Sequence, residues 1–439
     1  MSIISKEDIR GKLTFWPRHN EAIYRRLESK NSWLEEKGRA ANRGAADPLE
    51  NEMVLNIGPQ HPATHGVLRC VARLDGETIE KCVIDIGYLH RGIEKVAENK
   101  TYQEFMPYTD RMDYLSPYSN NVAWCLAVEK AANIECPDRA QWIRMMMSEL
   151  SRISSHLIWM GVGLMDAGAL SVFLWTFKYR EDLYSVFDHV AGARLTVSHS
   201  RIGGVASDVS DEAITMIKSF IDEFPGVLAG WEKLLNRNRI WIDRNIGIGV
   251  LSKEDALELG VTGPTIRGSG IPYDIRRFEP YLKYDEVDFL IPIREEGDAL
   301  ARYFVRLDEM KESVKIVAQC LEKLQVVHGA IRVDNAKQTY PSKDEVYYSM
   351  EALIHDFMYT DTGVCPPNGV WAYHAIEAPK GELGFYIQSD GTGNPFRARI
   401  NAPSFTNIQA LEAMMEGAVM GDMVILIGTV DPVLGEADK

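Results

Sequence analysis

Six cysteines, at positions 70, 82, 125, 136, 320 and 365, are scattered over 439 residues with no Cys-x-x-Cys pair among them. Such spacing supplies neither a disulfide framework nor a thiolate site for zinc or an iron-sulfur cluster, and it fits a reducing compartment. Basic residues are in deficit as well: 48 Lys and Arg against 63 Asp and Glu leave a net charge of -15. A nucleic-acid partner calls for a basic face, so none is expected. No apolar run approaches the roughly eighteen residues of a membrane span; the longest, Leu157 to Met165 and Met423 to Val430, are the size of core segments. The opening Met-Ser-Ile-Ile-Ser-Lys-Glu-Asp lacks the apolar centre of a secretory signal, which predicts a cytoplasmic location. Gly263-Pro-Thr-Ile-Arg267-Gly-Ser-Gly270-Ile-Pro272 is glycine-rich but lacks the strand and helix context, and the Gly-Lys-Ser/Thr ending, of phosphate loops. It reads as a packed loop. Internal repeats and low-complexity segments are missing too.

What is present is a chain with 46% hydrophobic residues, enough to bury a large core in more than one structural unit. Residues 1 to 50 form a polar extension that reads as lying on a partner. From 51 to 105 the pattern is strand-like: Met53 to Ile57, Val67 to Leu74 and Lys81 to Ile86, with Asp75-Gly76 as a turn. Between 106 and 330 apolar residues recur at three and four spacing, which predicts helices over 118–132, 137–160, 171–191, 211–234 and 298–324. These make a central helical bundle. Residues 331 to 439 return to a mixed unit, with helices over 346–357 and 408–420, strands over 369–376 and 384–389, and an apolar tail. The fold class expected is α+β, mainly helical.

Two stretches carry the chemistry. Gly58-Pro-Gln-His61-Pro-Ala-Thr-His65-Gly sets two imidazoles four apart in the loop between two strands. A zinc pair would place them on one helix face with a glutamate base between them; Pro62 and Gly66 argue against the helix, and no glutamate is there. Two ordinary, hydrogen-bonded structural histidines are the other plain reading. A titratable pair in a short loop is otherwise suited to proton chemistry near neutral pH. The second stretch, Thr109-Asp-Arg111-Met-Asp113-Tyr114-Leu-Ser116, brings a phenol and two carboxylates. A core tyrosine with a satisfied hydroxyl is the bland alternative for Tyr114. Met145-Met-Met147 and Met414-Met415, on predicted helices, read as core filler.

Seven segments, in order, resemble one family: Gly58 to Gly66, Leu89-His-Arg91-Gly-x-Glu-Lys95, Asp110 to Tyr114, Asp166-x-Gly-Ala, Gly192-Ala-Arg194, Arg267-Gly-Ser-Gly270 and Glu377-Ala-Pro-Lys-Gly-Glu382. Over residues 50 to 439 the chain is similar to the D-type subunit of bacterial NADH:quinone oxidoreductase, respiratory complex I, whose mitochondrial counterpart is the 49 kDa subunit. That family in turn resembles the large subunits of nickel-iron hydrogenases, which implies the same fold. Their four nickel thiolates are gone here, where the corresponding stretches read Arg111-Met-Asp-Tyr-Leu-Ser116 and Asp431-Pro-Val-Leu-Gly-Glu436. Soft nickel and iron centres depend on such ligands, so hydrogenase chemistry is opposed.

The resemblance implies a quinone-reducing core subunit, with Tyr114 and His65 as proton donors to ubiquinone or menaquinone. It implies Asp166 as the ionic partner of His65, a contact that favours the protonated form of an imidazole. His61 and Asp113 are placed at the quinone site, while Arg91 and His156 face a 4Fe-4S cluster held by a neighbouring iron-sulfur small subunit. For His156 a buried structural role is the competing reading. No cofactor is expected on this chain itself. Further partners implied are a 30 kDa-type subunit, a ferredoxin-like cluster subunit and a quinone-channel membrane subunit, with the chain peripheral on the cytoplasmic side of the inner membrane. The rivals are a related ferredoxin- or deazaflavin-driven membrane oxidoreductase, and a scaffold in which His65 and Tyr114 are inert.

Overall fold

A computed structural model of the chain describes residues 52–335 and 338–439; the expected N-terminal extension lies outside the described residues. The strand-like region forms an antiparallel meander, β1 (Glu52–Ile57), β2 (Arg69–Asp75) and β3 (Thr78–Asp85), in that spatial order. Along β2, Cys70, Ala72 and Leu74 point inward while the residues between them are half-buried. This is the period of two that a half-covered sheet requires. The Asp75-Gly76 turn joins β2 to β3, and the histidine loop joins β1 to β2.

Five long helices follow: α1 (Pro117–Ala132), α2 (Asp138–Asp166), α3 (Leu170–Ala191), α4 (Asp211–Leu235) and α5 (Ala299–Val326). Their ends follow local chemistry. Ser210 and Asp298 cap α4 and α5 through side-chain oxygens that accept from Ala213 and Ala301 backbone N–H groups. Gly192, in the left-handed region, ends α3. Helix α2 is buried without interruption from Trp142 to Leu157, as expected of a helix at the centre of a bundle. It runs six residues beyond the expected Met160, so Asp166 is its last residue and does not follow it.

The C-terminal region holds α6 (Met350–Thr362), β4 (Trp371–Ala378), β5 (Gly381–Ser389), β6 (Pro395–Asn401), α7 (Pro403–Met415), α8 (Met423–Val430) and α9 (Leu434–Ala437). The single helix expected over 346–357 is two, Lys343–Tyr348 and α6, parted at Ser349, whose extended backbone and side chain cap the second. Strands β4, β5 and β6 form an antiparallel sheet, and β6 was not expected. Helix α7 begins at Pro403, earlier than the expected 408, because proline is well placed at the first helical turn. The glycine-rich stretch is packed, as expected, but contains one helical turn, Pro264–Gly268, with Arg267 fully buried.

The architecture is therefore α+β and mainly helical. Among the described residues no helix is long and apolar enough to cross a membrane. One apolar core fills the bundle. A second joins the inner face of the N-terminal sheet (Leu68, Cys70, Leu74) to Leu411, Leu426 and Leu434 of α7 to α9. Burying each such leucine contributes about 1.5–3 kcal/mol. The C-terminal tail is thereby fixed beneath the histidine loop.

Candidate functional site

The histidine loop is built from its own short-range hydrogen bonds. His61 is exposed and caps the one-turn 3-10 helix Pro62–Thr64, its Nδ1 accepting from the Ala63 N–H at 3.2 Å. Thr64 is buried, its hydroxyl 2.7 Å from the His61 carbonyl and 3.1 Å from that of Gly66. His65 then takes a left-handed backbone, φ 53° and ψ 30°. The ring is directed onto the end of α2, where its Nε2 meets Asp166 Oδ2 at 2.9 Å. The distance is within the reach of an ion pair when the imidazole is protonated, while the direction is off the line of a hydrogen bond. Gly428 of α8 faces the same ring. A cavity of about 20 Å³, bordered by Asp166, Trp159 and Gly428, lies beside the pair.

Tyr114 stands on the turn between Asp110 and α1 and is 37% exposed. Partial burial, and next the charge of Asp113, raise the phenol above its ordinary pKa. His65 and Tyr114 do not touch directly through any bond of the chain; they share a floor. Leu434 packs against Gly66 on the histidine side, and Gly435 lies against the Met112 carbonyl on the tyrosine side. Arg91 fastens the two, its guanidinium donating to the Arg111 and Gly435 carbonyls at 2.8 Å each. Burial lowers the Arg91 pKa, and the side chain stays open on its outer face.

Beneath Tyr114 the stretches Arg111–Ser116 and Asp431–Glu436 come together around a lysine. Lys380, fully buried, lies 2.9 Å from Asp431 and 3.9 Å from Asp113, and donates to the Ser155 hydroxyl. Burial disfavours its charge, but Asp113 and Asp431 outweigh that and raise its pKa. Asp113 is shifted upward by burial. Glu436, also buried, accepts from Ser404 at 3.0 Å and is pushed up to about 8 by burial and by Asp113. One oxygen each of Asp113 and Glu436 has no hydrogen-bond partner among the described residues. Ser116 is tied to Ser119 and Ser151 instead.

His156 is not at this surface. It lies wholly buried on α2 with Nε2 2.8 Å from Glu309, and burial lowers it to about 4. Lys380, Asp431 and Glu436 were not singled out as functional from the sequence. Their signal lies in the Glu377–Glu382 segment and in the C-terminal stretch Asp431–Glu436. A separate cleft of about 910 Å³, lined by Arg201, Arg332, Tyr340 and Tyr347 among others, contains none of the site residues.

The site thus combines a buried cluster of carboxylates around one lysine with a tyrosine and a histidine–aspartate pair, an arrangement chemically able to hold and exchange protons. Residues 166–439 match the family model of the respiratory-chain NADH dehydrogenase 49 Kd subunit. The D subunit of the NADH-quinone oxidoreductase of Salinibacter ruber is 70% identical over 441 residues, covering 98% of this chain and 97% of that protein. The D 1 subunit of the Chloroherpeton thalassium enzyme is 58% identical over 92% of each chain. The D subunit of the Geobacter sulfurreducens enzyme is 49% identical over 88% of this chain and 98% of its own. The chain belongs to the 49 kDa subunit family of respiratory-chain NADH dehydrogenases, complex I, and is an oxidoreductase component of a multi-subunit complex.

Proposed function

We propose that this chain forms the quinone headgroup site of complex I together with an iron-sulfur small subunit, and that Tyr114 and His65 supply the protons of reduction. The hydrogenase-like bed, refilled by Lys380 and its carboxylates, is the cradle below that site. Full reduction takes two electrons and two protons. A 4Fe-4S cluster on the neighbouring subunit would supply the two electrons; the Tyr114 O–H and an N–H of the protonated His65 ring, Nδ1 being the nitrogen not held by Asp166, break as the two quinol O–H bonds form. Phenol and imidazole must come within hydrogen-bond reach of the carbonyl oxygens, about 2.6 to 3.2 Å. Raising the Tyr114 pKa keeps the phenol protonated until the quinone oxygen is reduced enough to take the proton.

The observation that carries this reading is the contact of His65 with Asp166 above a floor shared with Tyr114. When His65 gives up its proton, Asp166 loses its counter-ion, and the left-handed loop is free to move. That movement is the trigger for proton translocation. Arg91, open beside the same floor, faces the cluster and supports its potential, and His61 at the loop's outer rim contacts the quinone. A 30 kDa-type subunit, a ferredoxin-like cluster subunit and a quinone-channel membrane subunit complete the surroundings, on the cytoplasmic side of the membrane.

Tyr114→Phe in the assembled complex tests it. Quinone reduction should fall by about 10²-fold or more, the usual share of general acid catalysis, while electron delivery to a soluble acceptor upstream is kept. An assembled Tyr114→Phe complex with full quinone reduction would leave the tyrosine inert and favour the scaffold reading. Asp166→Asn should uncouple pumping from reduction; full retention of both would end the trigger role.

A further inference from the structure

Arg267, Glu377 and His156 stand in segments that quinone chemistry leaves unused, and the fold assembles them into one buried array. Arg267, from the Pro264–Gly268 turn, meets Glu309 of α5 and Glu377 of β4 at 2.7 Å each. The same Nη1 that meets Glu377 lies 3.7 Å from Asp274. Asp274 pairs with Arg276 at 2.7 Å, and Arg276 with Glu149 of α2 at 3.2 Å. Glu149 also takes Arg152, 3.1 Å away, and hydrogen bonds from Ser313 and Tyr284. Glu309 closes the array on His156.

Four carboxylates, Glu149, Asp274, Glu309 and Glu377, are thus in contact with three guanidiniums, Arg152, Arg267 and Arg276, all within 0–2% exposure. Arg306, a fourth buried guanidinium that also acts on Glu309, is drawn first to Asp431 outside the array, so within the array one carboxylate exceeds the guanidiniums in contact with it and calls for a proton. We propose that Glu377 holds that proton in the resting protein, and that its ionisation responds to charge in the Lys380 cradle; the second part rests on the quinone-site reading above.

The distribution of contacts selects Glu377. Glu149 has two guanidiniums and two hydroxyl donors, and although burial would raise it, Arg152 and Arg276 hold it at about 2. Glu309 takes Nε and Nη2 of Arg267 and is held low. Asp274 has a two-point pairing with Arg276. Glu377 has one guanidinium nitrogen, which it shares with Asp274, and a long 3.3 Å bond from the Ile275 N–H. Burial, opposed by Arg267 and then Arg276 and reinforced by Asp274, pushes it up to about 7. Also facing it are Tyr281, whose hydroxyl accepts from the Glu377 N–H, Arg152, which donates to the Glu377 carbonyl, and the phenol of Tyr273. His156, neutral at this pH, adds no charge. The link to the cradle is short: Lys380 is three residues on in the same hairpin, and Arg306 of α5 feels Asp431 first and Glu309 next.

Infrared difference spectroscopy of the assembled complex, with the pH stepped across about 7, tests the proton. As the pH rises, the wild-type Glu377 O–H should ionise to water and a protonated-carboxyl band should disappear. Glu377→Gln should assemble, since an amide replaces a neutral acid, and should lack the band change. Asp274→Asn should keep it but move its midpoint to lower pH, a neighbouring negative charge being gone. An unchanged band in Glu377→Gln, or failure of that variant to assemble, overturns the proposal. Reduction at fixed pH should perturb the same band; a band that titrates but ignores reduction overturns the link to the cradle alone. Failure of the quinone reading would look different: an active Tyr114→Phe complex with the pH-step band intact.

Discussion

His65 sits at φ 53°, a left-handed conformation that costs a non-glycine residue about 1–2 kcal/mol. The cost is offset by the buried Thr64 hydroxyl, which locks the turn to the His61 carbonyl. A single atom decides the geometry on the other side of the floor. A Cβ at Gly435 would lie 2.7 Å from the Met112 carbonyl and 3.2 Å from that of Arg111, so one of them must move. The turn that carries Asp113 and Tyr114 would move with them. Gly435→Ala should therefore cut quinone reduction by about 100-fold, the penalty of roughly an ångström of misplacement, with electron delivery to an upstream acceptor kept. Gly428→Ala is the matched control, because its Cβ would stop at an ordinary 3.5 Å from the His65 ring. Equal activity of the two variants, measured as turnover per assembled complex, would show that the floor does not position Tyr114.

At the scale of elements, α8 and α9 tie the histidine loop to the lysine cluster. Leu434 is 1% exposed and rests against Gly66, so Leu434→Ala should destabilise by about 2–5 kcal/mol, transfer and cavity together. Hydrogen exchange should quicken at the amides of residues 64 to 66; unchanged exchange there would mean that the loop is held by other contacts. The helices were legible in the sequence from apolar residues recurring at three and four spacing, and the first sheet from runs of strand-forming residues and the alternation along β2. The boundaries that shifted have local causes, such as Ser349 capping a new helix and Pro403 opening α7. Strand β6 was hidden because Arg397 and Arg399 interrupt its apolar character while Ala398 and Ile400 turn inward. Of the site, the histidine loop and Tyr114 were readable as motifs. The array around Arg267 was not, since periodicity marks apolar residues as buried and gives no sign that Glu149, Arg152, Arg276 or Glu309 lies in the core.

Across the whole molecule, these buried groups make stability depend on pH in opposite senses. His156 has a folded pKa lowered by burial to about 4, below the ~6.5 of an unfolded histidine. Its contribution is present above about 6.5 and is lost as pH falls through about 4. Glu436 is the reverse case: burial and Asp113 raise it to about 8, above the ~4.3 of an unfolded glutamate. Its contribution is whole below about 4.3 and is lost as pH rises through about 8, with a slope of at most about 1.4 kcal/mol per pH unit for one group. Raising the pH ionises Glu436 beside Asp113, where Lys380 and Lys439 supply positive charge that does not outweigh burial, so the folded state loses the proton it had kept. Glu436→Gln has no proton to lose there and keeps the hydrogen bond from Ser404. Thermal unfolding of the two proteins, followed from pH 7 upward through about 8, should show the wild type falling faster than the variant. Parallel curves would mean that Glu436 is already ionised at neutral pH, and that the cradle beneath Tyr114 carries one more negative charge than its geometry supports.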